Sequence, residues 1–213
     1  MNSLRMVLYV LGLYSAFMAG SSLLRNQSSL SLSNPKKFHF PLTTILLLLA
    51  IALPSILQFF FPMLLPMFQR DNERFLSGEW WRLFTPIFFQ DGGLSGTIFN
   101  LISLLLIGSV AEKLWGGRSM LIIFFMGGII GEMVAFAWQP IGAGNSICNF
   151  SLAASIAIAC LVRHPPRSIQ IAALFALSIC GMLVWWQDIH GAAALAGAIQ
   201  ALFLNQVRPD KSQ

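Results

Sequence analysis

Two side chains in this sequence are of types that do covalent chemistry together. Ser146 stands in Gly142–Leu152, which reads GAGNSICNFSL, and His190 opens HGAAALAG. Two glycines and an asparagine precede the serine, and an apolar run follows it to Leu161. That pattern predicts a tight loop entering a helix, with Ser146 in the first turn. A hydroxyl there lies among free backbone N–H groups at the positive end of a helix dipole, which can hold a developing oxyanion. An imidazole within reach would take the hydroxyl proton and later return it to a leaving amine. Read alone, the serine is also what an ordinary N-cap looks like, and the histidine could be a buried one hydrogen-bonded for packing. Asp188 is near His190 in sequence but falls at the membrane edge, so a Ser–His dyad is expected rather than a triad.

The elements that must position these residues follow from composition. The chain has 213 residues, mean hydropathy +0.73 and only 10% charged residues, against about 25% in an average soluble domain. Apolar runs of about 18–20 residues recur along most of it, as in a polytopic all-α membrane protein built as one bundle. The net charge of +5 does not point to nucleic acid, because the basic residues sit at helix ends and form no face interleaved with aromatics. Cys148, Cys160 and Cys180 lie inside apolar runs without metal spacing and read as small buried hydrophobes. No metal or organic cofactor is implied.

In chain order, residues 1–40 give an apolar helix over Met6–Leu24 and a polar linker over Gln27–Phe40. The helix is expected to be retained, although Arg5 and the small residues at 19–22 also permit a cleaved signal. Residues 41–207 form the membrane domain, and 208–213 a short tail. Pro41–Phe68 is a long apolar span in which Pro54, Pro62 and Pro66 predict kinks or an early end. Gln69–Gly93 is a long loop, charged early and amphipathic later, whose paired Trp80 and Trp81 suit a membrane interface. Further spans are expected near 94–112, 119–138, 146–162, 168–186 and 189–205. Lys36/Lys37, Lys113/Arg118, Arg163/Arg167 and Arg208/Lys211 fall at alternate junctions, which puts the C-terminus in the cytoplasm. An extra first helix would then start outside.

Four polar residues lie within those spans. Counted from the nearest cytoplasmic basic residue at ~1.5 Å per helical residue, Asn100, Glu132, Ser146 and His190 stand about 20–27 Å up. All four thus fall in the outer half of a ~30 Å hydrocarbon core. Polar groups are costly there unless paired or hydrated, and one shared water-filled cavity would account for them together.

At these residues the chain resembles the rhomboid intramembrane serine proteases, over about Pro41–Asn205. Trp81-Arg82 in EWWRLFTPIF looks like that family's loop motif. FNLISLLLIGSVAEKLWG resembles its second core helix, with Asn100, Gly108, Glu112 and Gly116 at the family spacing. GNSICNF resembles the serine motif and HGAAALAG the last helix. The resemblance implies a six-helix bundle plus an extra N-terminal helix. It makes Ser146 the nucleophile and His190 its general base, with Phe150 packed beneath the imidazole. Asn100 and the Ser146 N–H would stabilise the oxyanion, in a loop formed by Gly144 and Asn145. Glu112 and Arg82 would be architectural, while Gly108, Ala154, Ala193 and Gly197 would allow close helix contact.

The implied activity is intramembrane serine endopeptidase. Its partners would be the lipid bilayer and transmembrane protein substrates cut near the outer face, in a bacterial plasma membrane. No oligomeric state is implied. The chain departs from the family at Gly96, where a histidine often contributes to the oxyanion site, and at Ile147, where glycine is usual. Asp91 replaces an expected loop histidine, and Asn145 or water could substitute as the donor. Ile147 is expected to narrow the entrance. Glu132 is unusual in a third core helix. It is read as protonated and hydrogen-bonded to a neighbouring helix, or alternatively as polarising cavity water or orienting His190. These departures support the alternative of an inactive rhomboid-like protein that binds transmembrane clients.

Overall fold

A computed structural model describes residues 3–30 and 40–207 of the chain. In order its helices and strands are α1 (Ser3–Leu30), α2 (Leu42–Phe60), α3 (Leu64–Phe68), β1 (Arg70–Asp71), α4 (Asn72–Leu76), α5 (Gly93–Trp115), α6 (Gly117–Trp138), β2 (Ile141–Gly142), α7 (Ser146–Val162), α8 (Arg167–Trp185) and α9 (Ile189–Val207). Five of them (α1, α2, α5, α6 and α8) are long and apolar enough to cross a membrane. The apolar α7 has 17 residues, a rise of about 25 Å.

The short α7 is the hub. Every residue from Ile147 to Ala157 is buried, because α1, α5, α6, α8 and α9 all pack on it. A helix that is apolar all round can be accommodated only by being surrounded in this way. Its serines are paired: Ser151 Oγ donates across to Ile123 O of α6 at 2.9 Å and Ser155 Oγ to Leu152 O within the helix at 2.7 Å. The closest partner is α9, whose buried Ala193, Ala194 and Ala201 leave little between the two backbones. At Gly197 the backbones nearly touch, and a Cβ there would overlap the Ser151 carbonyl oxygen.

The first helix is longer than the sequence suggests. Gln27–Leu30, expected as linker, continue α1 as helix, while residues 31–39 with Pro35, Lys36 and Lys37 lie outside the described residues, as does the tail 208–213. Nor is α1 an appendage: Tyr9, Leu13, Ala16, Ala19 and Leu23 are buried on one stripe, and the helix lies chiefly on α8, then on α7 and α5. Spacings of three and four residues place these side chains on a single face.

The prolines act where the chain can absorb them. Pro54 stays within α2, which ends at Phe60 just before Pro62, and Pro66 lies inside the separate short α3. The Glu112 carboxylate of α5 fixes the start of α2, accepting from Thr43 N (3.0 Å), Thr44 N (2.7 Å) and Thr44 Oγ1 (2.7 Å). A negative charge at a helix N-terminus is favourable. The segment after α3 is folded rather than loose. The Arg82 guanidinium is buried and donates to Glu79 Oε2 (2.6 Å), Pro66 O (3.0 Å) and Gln69 O (2.7 Å).

A two-stranded ribbon was not expected. In it β1 pairs antiparallel with β2, with Arg70 opposite Gly142. This ribbon answers the question of Glu132. Its carboxylate takes Arg70 Nη1 at 2.6 Å, both side chains being buried, so the partner lies on a strand and not on a neighbouring helix. Arg70 Nε also donates to Gln139 O at 2.7 Å. The pair thus ties the segment before α4 to the loop that leads into α7.

Two outcomes follow for stability in detergent. Gly197→Ala should cost about 1–3 kcal/mol by overpacking, whereas Gly181→Ala, where a Cβ meets nothing within 4 Å, should be neutral or slightly stabilising. Thermal unfolding of the two variants side by side checks this, and equal effects would contradict the close α7–α9 contact. Glu132→Met should destabilise by about 3–5 kcal/mol by leaving Arg70 buried and uncompensated, and Arg70→Met with Glu132→Met should recover much of that. A double variant no better than the single one would show that the pair does not act as a unit.

Candidate active site

The end of α7 that carries Ser146 lies beside the start of α9. The chain enters it through Ala143, Gly144 and Asn145, held by Gly144 N donating to Pro86 O at 2.9 Å and Ala143 N to Asp91 Oδ2 at 3.1 Å. Ser146 is the first residue of the helix, so its N–H has no partner within the helix. His190 is the second residue of α9, brought alongside by the Gly197 contact. Its Nε2 lies 2.9 Å from Ser146 Oγ.

The other ring nitrogen meets Asp188. His190 Nδ1 is 2.6 Å from Asp188 Oδ1, and the same oxygen accepts the His190 backbone N–H at 3.0 Å. Asp188, set aside at the sequence level as too near the membrane edge, is fully buried. It immediately precedes α9, where one carboxylate oxygen both accepts the His190 N–H as a helix cap and reaches the ring, a contact that linear depth counting does not capture. Burial by itself would raise the Asp188 carboxyl, but hydrogen bonds and charge from His190, with a hydrogen bond from Tyr9, outweigh it and hold the pKa down to about 2. A carboxylate so placed stays ionised and fixes the imidazole as the Nδ1–H tautomer, leaving Nε2 to accept from the serine.

Two aromatic rings hold the imidazole. Phe150, one turn below Ser146, meets it edge-on with centroids 5.1 Å apart, and Tyr9 of α1 lies against it at 4.3 Å. Nothing in the sequence pointed to Tyr9, which is a tyrosine in an otherwise unremarked apolar run.

Asn100 of α5 faces the same space. A Cβ on Gly144 would sit 3.4 Å from Ser146 Oγ and 3.5 Å from both Asn100 Nδ2 and Gln90 Oε1. Glycine therefore leaves open a volume bordered by the hydroxyl and an amide donor. The donor is aimed by Gln90, whose Oε1 accepts from Asn100 Nδ2 at 2.7 Å. Gln90 Nε2 donates to Asn145 Oδ1 at 2.8 Å, and its backbone is held by both ends of the Gln58 amide. Asn149 Nδ2 completes the set by donating to Asn100 O at 3.0 Å. Asn145 is thus buried behind the site in an amide network rather than free in the cavity. Gln58, Gln90 and Asn149 carried no sequence signal beyond being polar.

Asn100, Gly144, Ser146 and His190 line a shared cavity of about 400 Å³. Gly96 lines it too, and a Cβ there would meet nothing within 4 Å. Ile147 is buried, with its Cδ1 against Gly131 of α6. The bulk added at 147 is therefore matched by the absence of a side chain at 131. Glu132 and Arg70 lie on the cavity wall without touching His190.

The family model of the Rhomboid domain matches residues 77–208. The rhomboid protease GluP of Bacillus subtilis is 34% identical over 71 residues, 33% of this chain and 14% of that protein. YdcA from the same bacterium is 33% identical over 76 residues, 33% of this chain and 38% of its own. The rhomboid-like protease 3 of Toxoplasma gondii is 24% identical over 112 residues, 52% of this chain and 42% of that protein. The matched stretches thus span less than half the length of each relative. The family match covers more than half of this chain, including α5 to α9 and the loop before them, and the chain belongs to the rhomboid family of polytopic membrane proteins.

Proposed function

We propose that this protein is an intramembrane serine endopeptidase with a Ser146–His190–Asp188 triad. The observation that carries the proposal is the unbroken hydrogen-bonded line from Ser146 Oγ through both imidazole nitrogens to Asp188, at 2.9 and 2.6 Å. Membership of the rhomboid family supports intramembrane proteolysis in general. The finer assignments rest on the geometry of this chain.

The steps follow from the atoms present. Ser146 Oγ attacks the scissile carbonyl carbon while His190 Nε2 takes its proton. The carbonyl oxygen becomes an oxyanion in the space left open by Gly144, where Asn100 Nδ2 and the Ser146 N–H can donate to it. As the C–N bond breaks, the imidazolium returns its proton to the leaving amine. Water then attacks the acyl ester as His190 takes its proton, and the imidazolium returns that proton to Ser146 Oγ as the ester C–O bond breaks and the acid product leaves. Asp188 keeps the tautomer and balances the transient imidazolium. The substrate is a transmembrane segment entering from the lipid, part of which must unwind to present an extended peptide bond. The alternating basic junctions support an outward-facing cavity in a bacterial plasma membrane and a cytoplasmic C-terminus.

A fluorophosphonate probe on purified protein tests the reading. Wild type should label on Ser146, Ser146→Ala and His190→Ala should not, and Asp188→Asn should label about 10²–10⁴-fold more slowly. A folded wild type that does not label, and does not cut a panel of transmembrane substrates, would favour the client-binding alternative that Gly96 suggests. Because the space at Gly96 is open, Gly96→His should add a donor and raise the labelling rate. A rate unchanged or lowered in the folded variant would show that the oxyanion site is already complete.

A further inference from the structure

We infer that Tyr9 of α1 is a positioning residue of the active site, acting through Asp188. This rests on the triad reading above. The Tyr9 hydroxyl donates to Asp188 Oδ2 at 2.6 Å, a contact between residues 179 positions apart in the chain. Asp188 Oδ1 is already occupied by the His190 ring and backbone. The tyrosine therefore engages the oxygen that histidine leaves free, and Arg5 Nη1 approaches that same oxygen at 3.5 Å. With both oxygens held, the carboxylate cannot rotate away from Nδ1. The Tyr9 ring meanwhile lies against the imidazole at 4.3 Å and meets Phe150 edge-on at 5.5 Å. The imidazole is thus one corner of a cluster of three mutually contacting rings, with an aromatic from α7 and one from α1.

The placement of α1 serves this contact. Its buried stripe seats it on α8, α7 and α5, and a Cβ on Gly12 would lie 3.2 Å from Ile179 and 3.5 Å from Phe150. The first turns of the helix are thereby pressed onto the site. The N-terminal helix supplies one of the hydrogen bonds that hold the general base, so it is part of the catalytic apparatus and not only an added span.

The test uses full-length protein in detergent and the fluorophosphonate labelling rate. Wild type, Tyr9→Phe, Asp188→Asn and the double variant are compared, with thermal unfolding measured on each. Tyr9→Phe keeps the ring and removes only the donor. It should slow labelling about tenfold, the scale of one hydrogen bond to a charged group, with little change in unfolding temperature. In the Asp188→Asn background the same substitution should have almost no further effect, since its route of action is already gone. A purely structural role would slow both backgrounds equally, which would overturn the inference. So would an unchanged rate, or a faster one, the latter marking α1 as an obstruction over the site. If wild type itself fails to label, the protease reading falls and this inference with it. If wild type labels and Tyr9→Phe matches it, only this inference falls.

Discussion

The near contact of α9 with α7 at Gly197 and Ser151 is the constraint on which the site depends. The two helices run side by side from the end that bears Ser146 and His190. A fixed meeting point several residues below therefore sets both their separation and their rotation at that end. Rigid helices carry such a constraint over one or two turns with little loss. A side chain at 197 would push the helices apart by more than a hydrogen bond can stretch. The small residues along α9 are thus the reason a hydroxyl and an imidazole from different spans stand 2.9 Å apart.

A second constraint is the length of α7. With 17 residues it is shorter than a ~30 Å hydrocarbon layer, and being surrounded it is not forced to span one. Its first residue lies beside the start of α9 and lines a cavity. The proposed hydrolysis needs water at Ser146, and lipid would exclude it. The polar side chains in and behind the cavity wall are paired: Asn100 is tied to Gln90 and Asn149, Gln90 in turn to Asn145 and Gln58, and Arg70 meets Glu132. Such networks hold their members in one arrangement because an unpaired buried amide is expensive. The rigidity also suits catalysis, since a donor already aimed need not reorganise when charge develops.

How far the sequence reveals this differs from residue to residue. The helices after residue 93 were legible because each is a long apolar run bounded by short polar turns, and Ser146, His190 and Asn100 stood out as polar residues at a common counted depth. Asp188 was set aside because depth counting ignores what a capping side chain can reach, whereas this one spans both the His190 N–H and its ring. Tyr9 and Gln90 were invisible for a different reason. Each acts through a contact with a residue far along the chain, and no local periodicity encodes such a contact. The β1–β2 ribbon was missed similarly, since two-residue strands have no pattern of their own. Glu132 was seen to need a partner, but the partner lay in a charged loop that gave no hint of returning to α6. The end of α1 was set too early because Ser and Asn at 26–29 weaken helix propensity without forbidding a helix.

The central claim is that Ser146, His190 and Asp188 act as one unit beside an oxyanion space kept open by Gly144. An experimental structure of the protein after reaction with an alkyl fluorophosphonate tests it most directly. The account predicts phosphorus bonded to Ser146 Oγ, with the phosphoryl oxygen about 2.7–3.1 Å from the Ser146 N–H and Asn100 Nδ2. It also predicts that His190 remains between that adduct and Asp188. An unmodified Ser146, or an adduct whose oxygen points away from Asn100 with the imidazole swung off Asp188, would contradict it.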